Sequence, residues 1–127
     1  MGKVQMKLEL IAVPVSYVDR AKAFYVDRVG FVEDHDHTVG DAIRFVQLTP
    51  PGSACSIAIG RGVATTEPGS LQGLQVVVDD IEAARAALAE GGVEVSEVQD
   101  FPWGRFVFFS DPDGNGWAVQ EIVRQGS

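Results

Sequence analysis

The amino-acid sequence predicts an α+β fold made of two copies of one unit, a strand followed by a helix and three further strands. Short apolar runs typical of strands are interrupted twice by residues at helical spacing, and this order recurs in both halves of the chain. Setting Val15-Ser16-Tyr17-Val18 over Val78-Asp79-Asp80-Ile81 aligns the strand end and the helix start at an offset of 63 residues. We therefore expect one domain of 127 residues, with βαβββ modules at 8–60 and 73–123 and a linker at 61–72.

The first module is expected to open with a buried strand over Leu8 to Val15, a run of mostly apolar residues. Ser16 is the expected N-cap of the next helix, because Asp19 follows three positions later as in a capping box. Apolar residues at helical spacing continue to Arg28, and Gly30 ends the helix.

Three strands complete the first module, at Phe31 to Asp36, Ile43 to Thr49 and Ala54 to Ile59. The last two are separated by Pro50-Pro51-Gly52-Ser53, residues that favour turns. We expect these two strands to form a hairpin.

The second module repeats the pattern with a strand over Leu74 to Val78 and aspartate as the helix cap. The helix is expected to start at Ile81 and to stop at Gly91-Gly92. The three remaining strands are expected at Val93 to Val98, Arg105 to Ser110 and Trp117 to Val123.

The segment Asp111 to Gly116 matches the first half of a calcium-binding loop, D-x-D-x-N-G. A complete loop needs a glutamate six residues after the last glycine, where this chain has Ile122. The segment is better explained as a tight turn between strands, in which Asp side chains bind their own backbone and Gly114 or Asn115 takes a positive φ.

The charge and composition exclude several classes of function. A formal net charge of −8 without a Lys/Arg cluster disfavours nucleic acids and anionic membranes as partners. No apolar run approaches the ~18 residues of a membrane helix. The first ten residues lack the apolar region of a secretory signal, and Cys55 has no partner for a disulfide, so we expect a cytoplasmic protein.

Two groups of side chains could contact a ligand. Trp103 and Arg105 flank Gly104 just before a strand, where an aromatic ring and a guanidinium could hold a planar or anionic group. His35 and His37 lie two apart on one face of an extended segment and could begin a metal site, although no third histidine exists. A solvated strand end explains the histidines more simply, and whether either has a role stays open. Core packing is sufficient to explain Phe106, Phe108 and Trp117.

Four strings of the sequence resemble the vicinal-oxygen-chelate superfamily, which includes glyoxalase I, extradiol dioxygenases and bleomycin-resistance proteins. They are Val13-Pro14-Val15-Ser16 with Asp19-Arg20-Ala21-Lys22-Ala23-Phe24-Tyr25, Gly30-Phe31, and Phe109-Ser110-Asp111-Pro112-Asp113-Gly114-Asn115. The resemblance implies two βαβββ modules that curl into a half-open barrel around a central cavity, commonly in a homodimer.

The resemblance also implies four positions for the ligands of a divalent metal ion. Three of them fall on Leu10, Gly73 and Ala118, and the fourth falls near Ser56 to Ala58. No residue there carries a His, Glu or Gln side chain, so the sequence is similar to the metal-free, antibiotic-binding branch of the superfamily. We expect no metal site and no cofactor.

Small apolar residues at these positions leave room for a largely apolar guest. Strand alternation then places Gln75 and Gln120 on the cavity face, with Phe45 and Gln47 facing them from the hairpin. The expected ligand-binding residues, none of them catalytic, are Leu10, Phe45, Gln47, Gln75, Trp103, Arg105, Ala118 and Gln120.

These observations favour metal-independent binding and sequestration of a hydrophobic or aromatic small molecule, with an antibiotic as one candidate, by a homodimer. An alternative is a glyoxalase-like metal-dependent lyase, isomerase or dioxygenase with a metal site built from His35 or His37. An enzyme of this type could also use metal-independent acid–base chemistry from an unrecognised carboxylate. A third alternative is a regulatory or assembly subunit with a vestigial cavity.

Overall fold

Two four-stranded sheets and two helices make up the fold, which a computed structural model describes for residues 2–122. The strands are β1 (Leu10–Ala12), β2 (Val32–Val39), β3 (Ile43–Thr49), β4 (Ser56–Arg61), β5 (Leu74–Val77), β6 (Gln99–Phe101), β7 (Gly104–Ser110) and β8 (Gly116–Glu121). Helix α1 (Val18–Ala23) continues as a π-helix (Phe24–Val29), and α2 spans Ile81–Glu90. No helix among residues 2–122 is long and apolar enough to cross a membrane.

The two sheets have the same topology, which confirms the expected α+β fold of two βαβββ modules. The strand orders are β1-β4-β3-β2 and β5-β8-β7-β6, and in each sheet the first pair is parallel and the others are antiparallel. Each module thus contributes one curved, unclosed sheet to the half-open barrel.

The helices and the covered faces of both sheets enclose one core. Helix α1 packs against β4, and α2 packs against β7 and β8. The core joins the modules, since Phe24 of the first contacts Phe109 of the second at 6.2 Å between ring centroids, and Phe31 contacts Trp117 at 5.5 Å. Because the helices lie on the same side as this core, each sheet keeps its other face free of them.

The turn at Asp111 to Gly116 fixes the start of β8. One carboxylate oxygen of Asp111 accepts hydrogen bonds from the backbone N–H groups of Asp113, Gly114 and Asn115, at 2.9–3.0 Å. Gly114 has φ +103°, which L side chains rarely adopt. This confirms the tight turn that the sequence predicts.

The expected strand over Val93 to Val98 is wrong. This segment runs without strand pairing, and β6 begins only at Gln99. Ser96 connects the segment to β7 by two hydrogen bonds. Its backbone N–H donates to the Phe108 carbonyl, and its hydroxyl oxygen accepts from the Phe108 N–H, both at 2.9 Å. Val93, Val95 and Val98 are apolar because they pack on the core, so their pattern reflects burial rather than pairing.

The first strand and the first cap also differ from expectation. Strand β1 covers only Leu10–Ala12 of the expected Leu8 to Val15, since its partner β4 begins at Ser56. Helix α1 is preceded by Tyr17 with no side-chain cap, and Ser16 instead donates its backbone N–H to Asp113 Oδ2 at 3.1 Å. By contrast, Asp80 caps α2 as expected.

Three further strands have bounds that differ from those expected. Strand β2 continues to Val39 rather than ending at Asp36, with a bulge at Asp34. Strand β4 covers Ser56–Arg61 rather than Ala54 to Ile59. Strand β8 ends at Glu121, and Val123, the expected end, lies outside the described residues.

Candidate ligand-binding site

The second sheet has one face that no helix covers, here called its open face. Cross-strand register places Phe106 opposite Gln120 and Phe108 opposite Ala118, and β5 places Gln75 beside Ala118. Paired residues in a sheet point to the same side, so these side chains share the open face. The intervening residues Val107, Phe109, Trp117 and Val119 point to the core.

Four aromatic rings form a continuous row on this open face. Trp103 stacks on Phe101 at 5.4 Å between centroids and 13° between planes. Phe101 meets Phe106 edge to face at 5.6 Å, and Phe106 stacks on Phe108 at 5.9 Å. Trp103 is 64% exposed, and Phe101 and Phe108 are each 37% exposed. Such a contiguous exposed apolar patch is typical of a binding surface.

One cavity lies along the aromatic row, and a second adjoins it at Phe108. The first, of about 400 Å³, is lined by Gln75, Phe101, Trp103, Phe106, Phe108 and Ala118. The other, of about 540 Å³, shares Phe108 and Ala118 and extends to Gly73 at the start of β5. Both volumes fall in the range of small-molecule sites. Apart from Gln72, the last residue of the expected linker, all residues that line these two cavities belong to the second module.

Two glutamine amides stand beside the aromatic row, and the larger cavity is also lined by the polar residues Gln72, Glu94, Ser110 and Asp111. Gln75 Nε2 donates to Gln120 Oε1 at 2.6 Å, and Gln120 Nε2 donates to the backbone carbonyl of Trp103 at 3.0 Å. This chain of hydrogen bonds ties the β6–β7 turn, which carries Trp103, to the centre of the sheet. It also places neutral donors and acceptors beside the rings, which suits an uncharged polar group on a guest.

Arg105 lies apart from the glutamine side chains and the aromatic row. It lies opposite Glu121 on the other face of the sheet, and its Nε donates to Asp100 Oδ1 at 2.9 Å. The hydrogen bond to Asp100, supported by the charges of Glu82 and Glu121, raises the pKa of Arg105. Among the expected site residues of the second module, the structure gathers Gln75, Trp103, Ala118 and Gln120 and separates Arg105 from them.

The three expected residues of the first module share one face of the first sheet. Leu10 pairs with Ser56, Gln47 with Ala58 and Phe45 with Gly60, and all three side chains are partly buried. We call this side the open face of the first sheet, since α1 covers the other. Gln47 Nε2 also donates to Ser56 Oγ at 3.3 Å.

His35 and His37 lie on the same open face, beside Gln47 and Phe45 respectively. Their rings stack at 5.5 Å between centroids, and both side chains are exposed. The sequence places them at a polar strand end, whereas the longer β2 puts them inside the strand.

The positions that would ligate a metal do not fit a divalent ion. Gly73 and Ala118 line the same cavity but carry no donor atoms, and Leu10 stands on the other sheet. Among residues 2–122, no three His, Cys, Asp or Glu side chains come close enough together to share a metal ion.

Phe101, Phe106 and Phe108 are the site residues that sequence reasoning missed. Phe106 and Phe108 are expected in the core, and Phe106 is indeed 6% exposed, but both rings point to the open face. A usable signal was present, because alternation along β7 and β8 pairs these rings with Gln120 and Ala118 once the register of the hairpin is known.

Comparisons with known proteins agree with this architecture. The family model of the glyoxalase/bleomycin resistance protein/dioxygenase superfamily matches residues 7–119. The chain therefore belongs to that superfamily, and its resemblance to it is confirmed.

Individual relatives are similar over almost their whole length. An uncharacterised protein of Bacillus subtilis, YetH, is 30% identical over 87% of this chain and 94% of its own. TnmS3, an antibiotic-binding protein from Streptomyces sp. CB03234, is 38% identical, with a TM-score of 0.87 over 96% of this chain and all of TnmS3. A glyoxalase/bleomycin resistance protein from the same Streptomyces is 41% identical, with a TM-score of 0.79 over 90% of this chain and 99% of that one.

Proposed function

We propose that this protein binds and sequesters a flat, largely apolar aromatic molecule in the cytoplasm, without a metal ion, and that an antibiotic is such a guest. The exposed aromatic row carries this proposal, since three large rings stand in solvent beside cavities of small-molecule size. The similarity to TnmS3, described as an antibiotic-binding protein, supports it.

The guest would stack on Trp103 and lie along Phe101 and Phe108. Burying large aromatic surfaces is favourable at about 25 cal/mol per Å² of apolar area. Offset or edge-to-face ring contacts add roughly 0.5–1.5 kcal/mol each. Gln75 and Gln120 would orient the guest through neutral hydrogen bonds, and Ala118 leaves the space that a metal ligand would fill.

The proposed site is completed in a homodimer. Leu10, Phe45 and Gln47 lie on the open face of the first sheet, whereas no residue of the first module lines either cavity. A second copy that brings its first sheet over the aromatic row would enclose the guest and exclude water from it. His35 and His37 would then contact the guest from the same side as Phe45 and Gln47.

Calorimetric titration with proflavine, a flat tricyclic dye, tests the proposal. We expect binding by the wild-type protein that EDTA leaves unchanged, because no metal is required. Trp103→Ala should weaken binding at least tenfold, about 1.4 kcal/mol, with a nearly unchanged melting temperature, since the ring is exposed. Trp103→Phe should retain most of the affinity because it keeps a ring.

Tyr17→Ala is the matched control for Trp103→Ala. It removes an aromatic side chain of nearly equal exposure, 66% against 64%, from a surface outside the proposed site. Proflavine should bind this variant as it binds the wild type. Equal binding by Trp103→Ala and the wild type would refute the proposed site.

A further inference from the structure

A chain of hydrogen bonds with a fixed direction crosses the open face of the second sheet. Gln120 Nε2 donates to the backbone carbonyl of Trp103 at 3.0 Å, and Gln75 Nε2 donates to Gln120 Oε1 at 2.6 Å. The three groups come from β5, from β8 and from the turn between β6 and β7. One end of the chain of bonds is thus a main-chain group, and the other end is a side chain.

The Trp103 carbonyl determines which way both amides face. A carbonyl oxygen accepts hydrogen bonds and cannot donate them, so the nitrogen of Gln120 must face it. The amide oxygen of Gln120 then points to Gln75 and needs a donor, which is the nitrogen of Gln75. Reversing either amide alone would bring two acceptors together. The oxygen of Gln75 is consequently turned away from Gln120.

Gly104 leaves the space that the Gln120 amide occupies. A Cβ atom at this position would lie 2.7 Å from Gln120 Nε2 and 2.9 Å from the Glu121 carbonyl oxygen, closer than real Cβ atoms approach their neighbours. Gln120 is half-buried and lines neither cavity. Packing and hydrogen bonds therefore hold its amide in place, and this amide orients Gln75, which does line a cavity.

Gln75 Oε1 is the acceptor that remains for a guest. No group among residues 2–122 donates a hydrogen bond to it. Gln75 is exposed and lines the cavity of about 400 Å³ beside the aromatic row. A guest that fills this cavity displaces water from Oε1, and a buried acceptor without a donor weakens binding. The second N–H of Gln75 serves any guest that carries an oxygen, so Oε1 is the atom that discriminates.

We propose that the site selects aromatic guests that carry a hydrogen-bond donor, a phenolic hydroxyl or an aryl N–H, at the edge that faces Gln75. Gln75 is then the specificity-determining residue, and Gln120 is a positioning residue that acts through Gln75 and Trp103. This inference rests on the binding function proposed above and narrows the class of guest. A guest whose edge carries only acceptors, such as an ether, leaves Gln75 Oε1 without a donor and binds less tightly.

Calorimetric titration at pH 7 with 2-naphthol and 2-methoxynaphthalene tests the inference. Both probes are uncharged at this pH and share one ring system, but only 2-naphthol has a donor. We expect the wild-type protein to bind 2-naphthol at least fivefold more tightly. Equal affinities, or tighter binding of 2-methoxynaphthalene, would overturn the inference, since an N–H of Gln75 would serve the oxygens of both probes alike.

Gln75→Met tests whether this residue is responsible. Methionine has a similar length but no amide, so the preference should fall below twofold while 2-methoxynaphthalene binds as before. Gln99→Met is the matched control, because Gln99 is an exposed glutamine opposite Phe106 on the same face and lines neither cavity. It should keep the full preference. A preference that survives Gln75→Met would overturn the role assigned to Gln75.

Gln120→Glu tests the direction of the chain of bonds. The carboxylate still accepts from Gln75 but cannot donate to the Trp103 carbonyl, so both probes should bind more weakly by a similar factor and the preference should remain. Loss of the preference would overturn the direction assigned to Gln75. Proflavine is titrated in parallel. Protein that binds proflavine without preferring 2-naphthol refutes the donor inference alone, whereas protein that binds none of the three probes refutes the proposed binding function as well.

Discussion

The hydroxyl group of Tyr25 links the two modules inside the core. It donates to Asp111 Oδ2 at 2.8 Å and accepts from Trp117 Nε1 at 2.9 Å, with the side chain fully buried. Burial, strengthened by the charge of Asp111, raises the pKa of Tyr25 far above its ordinary value, so the phenol stays protonated and donates.

Tyr25→Phe should therefore lower the free energy of unfolding by about 1–3 kcal/mol, since Trp117 and Asp111 each lose a buried hydrogen-bond partner. Urea unfolding followed by circular dichroism measures the loss. Tyr17→Phe removes a hydroxyl from a side chain that is 66% exposed and should have almost no effect. Equal losses in the two variants would contradict this role for Tyr25.

The Asp36 carboxylate forms ion pairs with two basic side chains, Arg44 and Lys22. Arg44 bonds it through two nitrogens at 2.9 and 3.0 Å, and Lys22 bonds it at 2.8 Å. The hydrogen bonds from Arg44, which has the larger effect, and from Lys22 hold the pKa of Asp36 well below its ordinary value. The lowered pKa means that ionised Asp36 stabilises the fold above the pKa of the unfolded chain, about 4, and that this contribution is lost as the pH falls below it.

Asp36→Asn should lower the free energy of unfolding by about 1 kcal/mol at pH 7. The difference in this free energy between the variant and the wild type should shrink as the pH is lowered from 5 to 2. Urea unfolding at several pH values measures it. Asp19→Asn is the control, since Asp19 also bonds Arg44, at 2.8 Å, but its side chain is 87% exposed and should contribute less. A difference that grows on acidification would contradict the assignment.

At the level of single elements, the two helices differ in how they begin. The side chain of Asp80 accepts from the backbone N–H groups of Glu82 and Ala83, both at 3.1 Å, whereas α1 has no side-chain cap. The sequence signal for a cap is similar at Ser16 and Asp80. The two positions differ in their tertiary contacts, because the backbone N–H of Ser16 is hydrogen-bonded to Asp113 of the other module.

Asp80→Ala should lower the free energy of unfolding by about 1 kcal/mol, and Ser16→Ala should change it by a few tenths at most. Thermal unfolding of both variants gives the comparison. If Ser16→Ala proved as costly as Asp80→Ala, the serine would be acting as a cap after all.

The elements were predictable where one local signal dominates. Strand β3 occupies the expected Ile43 to Thr49, and Gly30, with φ +97°, ends the first helical segment as expected. The π-helix at Phe24–Val29 and the unpaired run at 93–98 were not predictable, because periodicity reports which side chains are buried and not which backbone groups pair. The same limit explains why β1 is shorter than its apolar run.

The positions of the candidate site residues were likewise predictable only in part. Alternation correctly placed Gln75, Ala118 and Gln120 on one face of the second sheet. Arg105 falls on the opposite face because it pairs with Glu121, one position out of phase with Phe106 and Gln120. The rings of Phe106 and Phe108 looked like core residues, since the sequence does not show which face of the sheet the helices cover.

For the whole molecule, the aromatic row is an apolar surface that the chain leaves in solvent. Monomeric proteins seldom expose contiguous apolar patches larger than a few hundred Å². The homodimer proposed above would close the aromatic row around a guest and so cover this surface. The helix-covered faces of the two sheets, by contrast, pack into the core that joins the modules.

Native mass spectrometry of the protein with proflavine, combined with metal analysis of the same sample, tests metal-independent aromatic binding most directly. We expect a dimer that carries proflavine and no stoichiometric divalent ion, and loss of the dye in the Trp103→Ala variant. One tightly held divalent ion per protomer, or dye retained equally by Trp103→Ala, would contradict the account. The first of these results would favour the metal-dependent enzyme instead.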